Sequence, residues 1–189
     1  MMKTKKIAVY LATLVALISV SSVAYADIWG GTKNWAGIQV YTYDSSVAIY
    51  GYTGTYDSAR ANWTGITPKV AFSNGNHPRM DKYYVGVTSD PTLLGQVMPY
   101  NSTGGSVSIH ANWHHANIAI YDNTMNNYNM TPGQRVGNAT HEVGHALKLG
   151  HPGSVNPPAT TSPSIMHTGI QSIGPTAYDR QELIAKWGN

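Results

Sequence analysis

Four residues that can bind a metal or move a proton fall within eleven consecutive positions: His141, Glu142, His145 and His151. His141 and His145 are four apart, so on a helix they stand one above the other and both imidazoles can reach one cation. Glu142 is rotated about 100° from His141, which sets its carboxylate beside the pair and outside the ligand set. Zinc with three protein ligands keeps an open position, where a water is acidified to a pKa of roughly 7. Glu142 is placed to take that water's proton as it attacks a carbonyl carbon, then to pass it to the leaving amine. The competing reading is a chance match on an ordinary amphipathic helix. For a chain with eight His and two Glu that coincidence is on the order of one in a few hundred.

The third ligand decides the kind of site. The only later glutamate, Glu182, falls inside the last helical pattern, and Asp179 lies in the same helix. His151 follows His145 by six residues. On a continued helix it would sit about 9 Å further along the axis and on another face. It reaches the metal only if the chain breaks and turns back, and Gly150 and Pro152 supply the means to do so.

The run His141-Glu142-Val143-Gly144-His145-Ala146-Leu147-Lys148-Leu149-Gly150-His151 resembles the long zinc signature of the metzincin peptidases, and its flanks are most similar to small bacterial matrixin-like enzymes. The resemblance implies zinc held by His141, His145 and His151, with Glu142 as the general base. It also implies a turn in Ser164-Ile165-Met166-His167-Thr168-Gly169 that puts Met166 beneath the imidazoles without making it a ligand. Astacin-like members carry a tyrosine where this chain has Thr168, so a tyrosine ligand is not expected. The family has glycine at the position of Lys148, where the helix ends with a positive φ. A lysine there costs roughly 1 kcal/mol relative to glycine. Family analogy further implies an extended protein or peptide substrate added beside a sheet edge, with the stretch from Gly95 to His110 the best candidate edge. The pocket wall would then come from His167 to Pro175. Calcium rests on analogy alone, because Asp44, Asp57, Asp81, Asp90 and Asp122 are scattered and match no calcium loop.

These residues need a frame. Thr131-Pro132-Gly133 reads as a helix entry, Thr131 as N-cap and Pro132 as first helical residue, for a helix over Gln134–Leu149. Strands are expected at Ile38–Tyr43, Lys69–Ser73, Lys82–Thr88, Ser106–His110 and Asn117–Tyr121. A helix is expected over Thr55–Trp63, and a closing one over Thr176–Trp187 with Gly188 as its stop. Asp27–Gly37 reads as an aperiodic arm, and the proline-bearing segment His151–Pro163 as irregular. The expected fold class is α+β, and the resemblance implies a metzincin-like zinc-peptidase domain: a mixed twisted sheet of about five strands with an active-site helix and a C-terminal helix.

Composition narrows the setting. Lys3, Lys5 and Lys6, the apolar run Ile7–Val20 and Ala24-Tyr25-Ala26 read as a signal peptide over residues 1–26, leaving one catalytic domain over 27–189. Without residues 1–26 the chain carries nine charges of each sign, so its high pI is no argument for nucleic acid or an anionic membrane. The chain has no cysteine, which excludes disulfides, a thiolate zinc site and a cysteine nucleophile. Its Tyr, Trp, Asn, Thr and Gly content suits a secreted, extracellular, sheet-rich domain, expected to be a monomer. His110, His114 and His115 around Trp113 read as strand-end histidines and not as a second metal site, and His77 stays unassigned. The leading expectation is a secreted zinc endopeptidase. The alternative is a secreted zinc-binding or carbohydrate- or cell-wall-binding module without proteolytic activity; the intact Glu142 argues against a silent zinc binder, and a sheet core consumes the aromatics that a carbohydrate module would use.

Overall fold

The structure, a computed structural model, describes residues 27–33 and 37–189; the expected signal peptide lies outside them. It is α+β, with a five-stranded mixed sheet and five helices. The strands are β1 (Gly37–Tyr43), β2 (Val70–Asn74), β3 (Asp81–Gly86), β4 (Gly95–Tyr100) and β5 (His115–Tyr121). The helices are α1 (Ser45–Ile49), α2 (Thr53–Trp63), α3 (Asp122–Asn127), α4 (Pro132–Ala146) and α5 (Ala177–Trp187). Sheet order is β2-β1-β3-β5-β4, with β4 antiparallel to β5 and every other pair parallel.

The periodicities explain the layers. In β3, Asp81, Tyr83 and Val85 are buried and alternate with partly exposed neighbours, the pattern of a strand with one face on the core. β5 lies between β3 and β4 and buries Ala116, Ile118, Ala119 and Ile120. Removing Ile118 and Ile120 from water contributes about 1.5–3 kcal/mol each. Tyr56, Ala59 and Trp63 of α2 and Ala139, Val143 and Ala146 of α4 join the same core. The Trp63 indole N–H donates to the Thr140 carbonyl at 2.9 Å, locking α2 onto the middle of α4.

One expected strand is corrected. Ser106–His110 is a loop that touches the sheet through a single bridge from Ser106 to Tyr100. The apolar–polar alternation there comes from Val107 and Ile109 tucking against the core, while β4 takes the place on the edge of β5. The expected edge between Gly95 and His110 thus narrows to Gly95–Tyr100. The short helices α1 and α3 leave no mark in the sequence, since five or six residues carry too little periodicity. The arm is not a loose end either. Asp27, Trp29 and Lys33 are buried, and Lys33 pairs with Asp81 and donates to the Ala146 carbonyl at 3.2 Å.

Candidate metal centre

Helix α4 begins where its chemistry says it should. The Thr131 hydroxyl accepts from the Gln134 N–H, and the Gln134 side chain accepts from the Thr131 N–H at 2.8 Å, a reciprocal cap with Pro132 just inside. It ends at Ala146, three residues short of the expected Leu149. Lys148 N–H donates to the His145 carbonyl (2.9 Å) and Leu149 N–H to the Gly144 carbonyl (3.1 Å). This is the Schellman arrangement, which needs a left-handed residue between, and Lys148 supplies it at φ 73°. The chain therefore reverses after one turn, and His151 returns to the face carrying His141 and His145.

The three imidazoles converge. His151 Nε2 lies 3.0 Å from His141 Nε2 and 3.1 Å from His145 Nε2. His141 Nδ1 donates to the Ile165 carbonyl and His145 Nδ1 to the Leu149 carbonyl, both at 2.8 Å. Those bonds fix the tautomer of His141 and His145 and leave the Nε2 lone pair of each aimed at His151 Nε2. Converging lone pairs repel unless a cation lies between them. Nitrogens at about 2.0–2.1 Å from a tetrahedral zinc stand roughly 3.3 Å apart, close to what is seen, so the donor set fits such an ion. Among the described residues these three form the only group of three or more His, Cys, Asp or Glu able to hold a metal. Burial pushes the His141 pKa down to about 4 and that of His145 well below its usual value, and it lowers His151 with help from the nearby His167. All three are neutral near pH 7, the form that binds metal.

Glu142 is buried, and among the described residues its Oε2 has no hydrogen-bond partner. Burial alone pushes its pKa up to about 8. A dication on the imidazoles would favour the carboxylate and pull this value down. Gly95 makes room for it: a Cβ there would lie 2.6 Å from Glu142 Cγ and Oε1. Glu142 and the histidines line a cleft of about 400 Å³ with Thr92–Val97, Asn138, Trp29, Thr168 and Gly169. A larger hollow of about 980 Å³ lies between the 156–163 loop and the start of α5, and none of the three histidines lines it.

Met166 is buried with its Sδ against Gly144, where a Cβ would meet it at 2.4 Å and Trp63 at 2.8 Å. The glycine inside the histidine motif is thus a packing requirement. The Met166 turn hangs from α5. The fully buried Asp179 carboxylate accepts from Ser164 Oγ (2.5 Å) and Ile165 N–H (3.0 Å), and the Ile165 carbonyl in turn holds His141. Asp179 also closes the capping box of α5 with Thr176.

Sequence reasoning missed several contributors: Asp179, Gly95, Trp29 and Asp27. The Thr176-x-x-Asp179 spacing was the one available sign, as a helix cap. Trp29 stacks flat on the His145 ring, centroids 4.6 Å apart and planes 7° from parallel. The Asp27 carboxylate accepts from Gly153, Val155 and Asn156 N–H and from the Tyr178 hydroxyl. It thereby pins the irregular loop that follows His151. Burial raises its pKa, but these bonds outweigh that and leave it below the ordinary value. Lys148 is fully buried, and burial, with Lys186 and Lys33 nearby, pushes its pKa down to about 7.

His110, His114 and His115 are not among the three histidines that converge. His110 accepts from the Gly30 N–H, while His114 and His115 meet through Nδ1 atoms 3.1 Å apart. No protein-family model matches the chain, and no curated protein matches it.

Proposed function

We propose that this chain is a zinc-dependent endopeptidase that hydrolyses peptide bonds, with His141, His145 and His151 as ligands and Glu142 as general base. The observation that carries the reading is the convergence of three Nε2 atoms, two of them on tautomer-fixed rings, beside a buried carboxylate in a cleft. Zinc, when bound, supplies Lewis-acid polarisation and acidification of water. The chain's own part is proton handling and placement. Glu142 takes a proton from the attacking water as its oxygen bonds to the scissile carbonyl carbon, then gives it to the amine as the C–N bond breaks. Burial keeps the carboxyl out of bulk water and so keeps its basicity near the working pH.

The substrate lies extended along β4. That strand pairs with β5 on one side, and among the described residues its other edge from Gly95 to Met98 carries no backbone hydrogen bond. A peptide laid there pairs as an added strand, with Glu142 directly behind Gly95. The left-handed turn at Lys148 and the buried Met166 packed on Gly144 support the metzincin-like reading and its matrixin-like variant. On that reading residues 1–26 are a signal peptide, and the enzyme works outside the cell as a monomer.

The test is metal analysis of the purified protein with a peptide-library digest, for wild type and Glu142→Ala. The expected result is one zinc per chain in both and cleavage in the wild type alone. Zinc without hydrolysis of any peptide refutes the peptidase assignment, and absence of zinc refutes the centre itself.

A further inference from the structure

We propose that Lys148 is a positioning residue for the metal centre, its ammonium clasping the arm 27–33 to the end of α4 so that Trp29 is held flat on the His145 imidazole. The proposal rests on the metal-centre reading above and deepens it. Lys148 stands at a turn whose φ of 73° glycine would adopt without strain. What its side chain adds is connection. Its Nζ donates to Gly30 O (2.9 Å), Ile109 O (3.0 Å) and Ala111 O (2.7 Å), and it lies 3.8 Å from the centre of the Trp113 ring. One buried ammonium thus joins two segments far apart in sequence to the last turn of the metal helix.

The first of those carbonyls belongs to the residue after Trp29. The Trp29 N–H donates to the Lys148 carbonyl at 2.9 Å, so main chain and side chain of Lys148 grip the arm on both sides of the indole. The indole then covers one face of the His145 ring, while Leu149 O holds that ring's Nδ1. An imidazole fixed at one edge and one face cannot swing about its Cβ, and its Nε2 stays aimed at the point it shares with His141 and His151. Losing such support around a ligand costs 10–100-fold in metal affinity.

The experiment measures zinc dissociation constants of the full chain by competition with a chromophoric chelator, alongside thermal unfolding of the metal-free forms. The variants are Lys148→Met, Lys148→Gly, Trp29→Leu and the Lys148→Met/Trp29→Leu double. Lys148→Met and Trp29→Leu are each expected to weaken zinc about 10–100-fold, and the double no more than the worse single, because both act through one contact. Lys148→Gly relieves the backbone and still binds zinc as weakly as Lys148→Met. The visible spectrum of cobalt-loaded Lys148→Met shifts from that of the wild type. Wild-type zinc affinity in a folded Lys148→Met, or losses that multiply in the double, overturn the proposal and leave a purely structural lysine. Should Lys148→Met not fold, wild-type zinc affinity in Trp29→Leu overturns it equally. A wild type that binds no zinc overturns the metal reading and this proposal together.

Discussion

Gly95→Ala places a methyl group where the structure has no space for one. The new Cβ would stand 2.6 Å from Glu142 Cγ and Oε1 and 2.7 Å from Cδ, against an ordinary carbon contact of about 3.5–4.0 Å. The strand resists moving, because Gly95 is paired with Ile120 of β5 and the next residues continue that ladder. The Glu142 side chain is therefore what yields, by about 1 Å, into the cleft. A misplacement of about that size costs on the order of 10²-fold in rate, or about 2.7 kcal/mol of transition-state stabilisation. The ligands are untouched, so zinc content is expected to remain one per chain. The assay is kcat/KM on a peptide found by library digest, measured with zinc stoichiometry and with Glu142→Ala as the floor. A Gly95→Ala enzyme within threefold of wild type would show that Glu142 is not held where its proton transfer requires, and the close-approach reasoning would fail.

Three further outcomes follow from the same geometry. Asp179→Ala leaves the buried N–H of Ile165 and the half-buried N–H of Thr176 without their acceptor, so urea unfolding should show a loss of about 2–3 kcal/mol; a loss under 1 kcal/mol would contradict the role given to this carboxylate. For the metal-free protein, Glu142 rises from 4.5 to about 8 on folding, so between those values the folded state binds more protons and stability falls as pH rises. Glu142→Gln removes that dependence: it should match wild type near pH 4.5 and exceed it at pH 8, and parallel pH–stability curves would contradict the burial argument. Finally, zinc at 1,000 times its dissociation constant should stabilise the protein by about 4 kcal/mol, raising Tm by roughly 8–16 °C in calorimetry against chelator, with the shift lost in His151→Ala.

The reach of the sequence differed from residue to residue, for physical reasons. His141, Glu142 and His145 are local: their relation is fixed by helical rise and rotation, and the Thr131 cap announced where that helix begins. For the return of His151 the residues themselves point to Gly150 and Pro152, and only the resemblance points to a left-handed turn at Lys148, which makes the reversal and where no propensity scale would choose a lysine. Gly95 and Gly144 read as neutral small residues, because their meaning lies in what approaches them. Trp29 and Asp27 were illegible, since an aperiodic arm shows no sign of the distant loop it docks on. In Ser106–His110 a period-two pattern came from a loop packed on the core, and alternation alone cannot tell that from a strand.

The hold of Asp27 on the loop after His151 bears on the order in which the centre is made. His141 and His145 come into register as soon as α4 forms, within about a microsecond for such an element. The loop bearing the third ligand is held by a carboxylate 126 to 129 residues earlier in the chain. Contacts of that separation must meet the entropy of closing a long loop before they are rewarded. Two ligands are therefore ready early and the third arrives late, when the two ends of the domain meet. A chain damaged near either end would keep its helix and its motif, and would hold its third ligand less firmly.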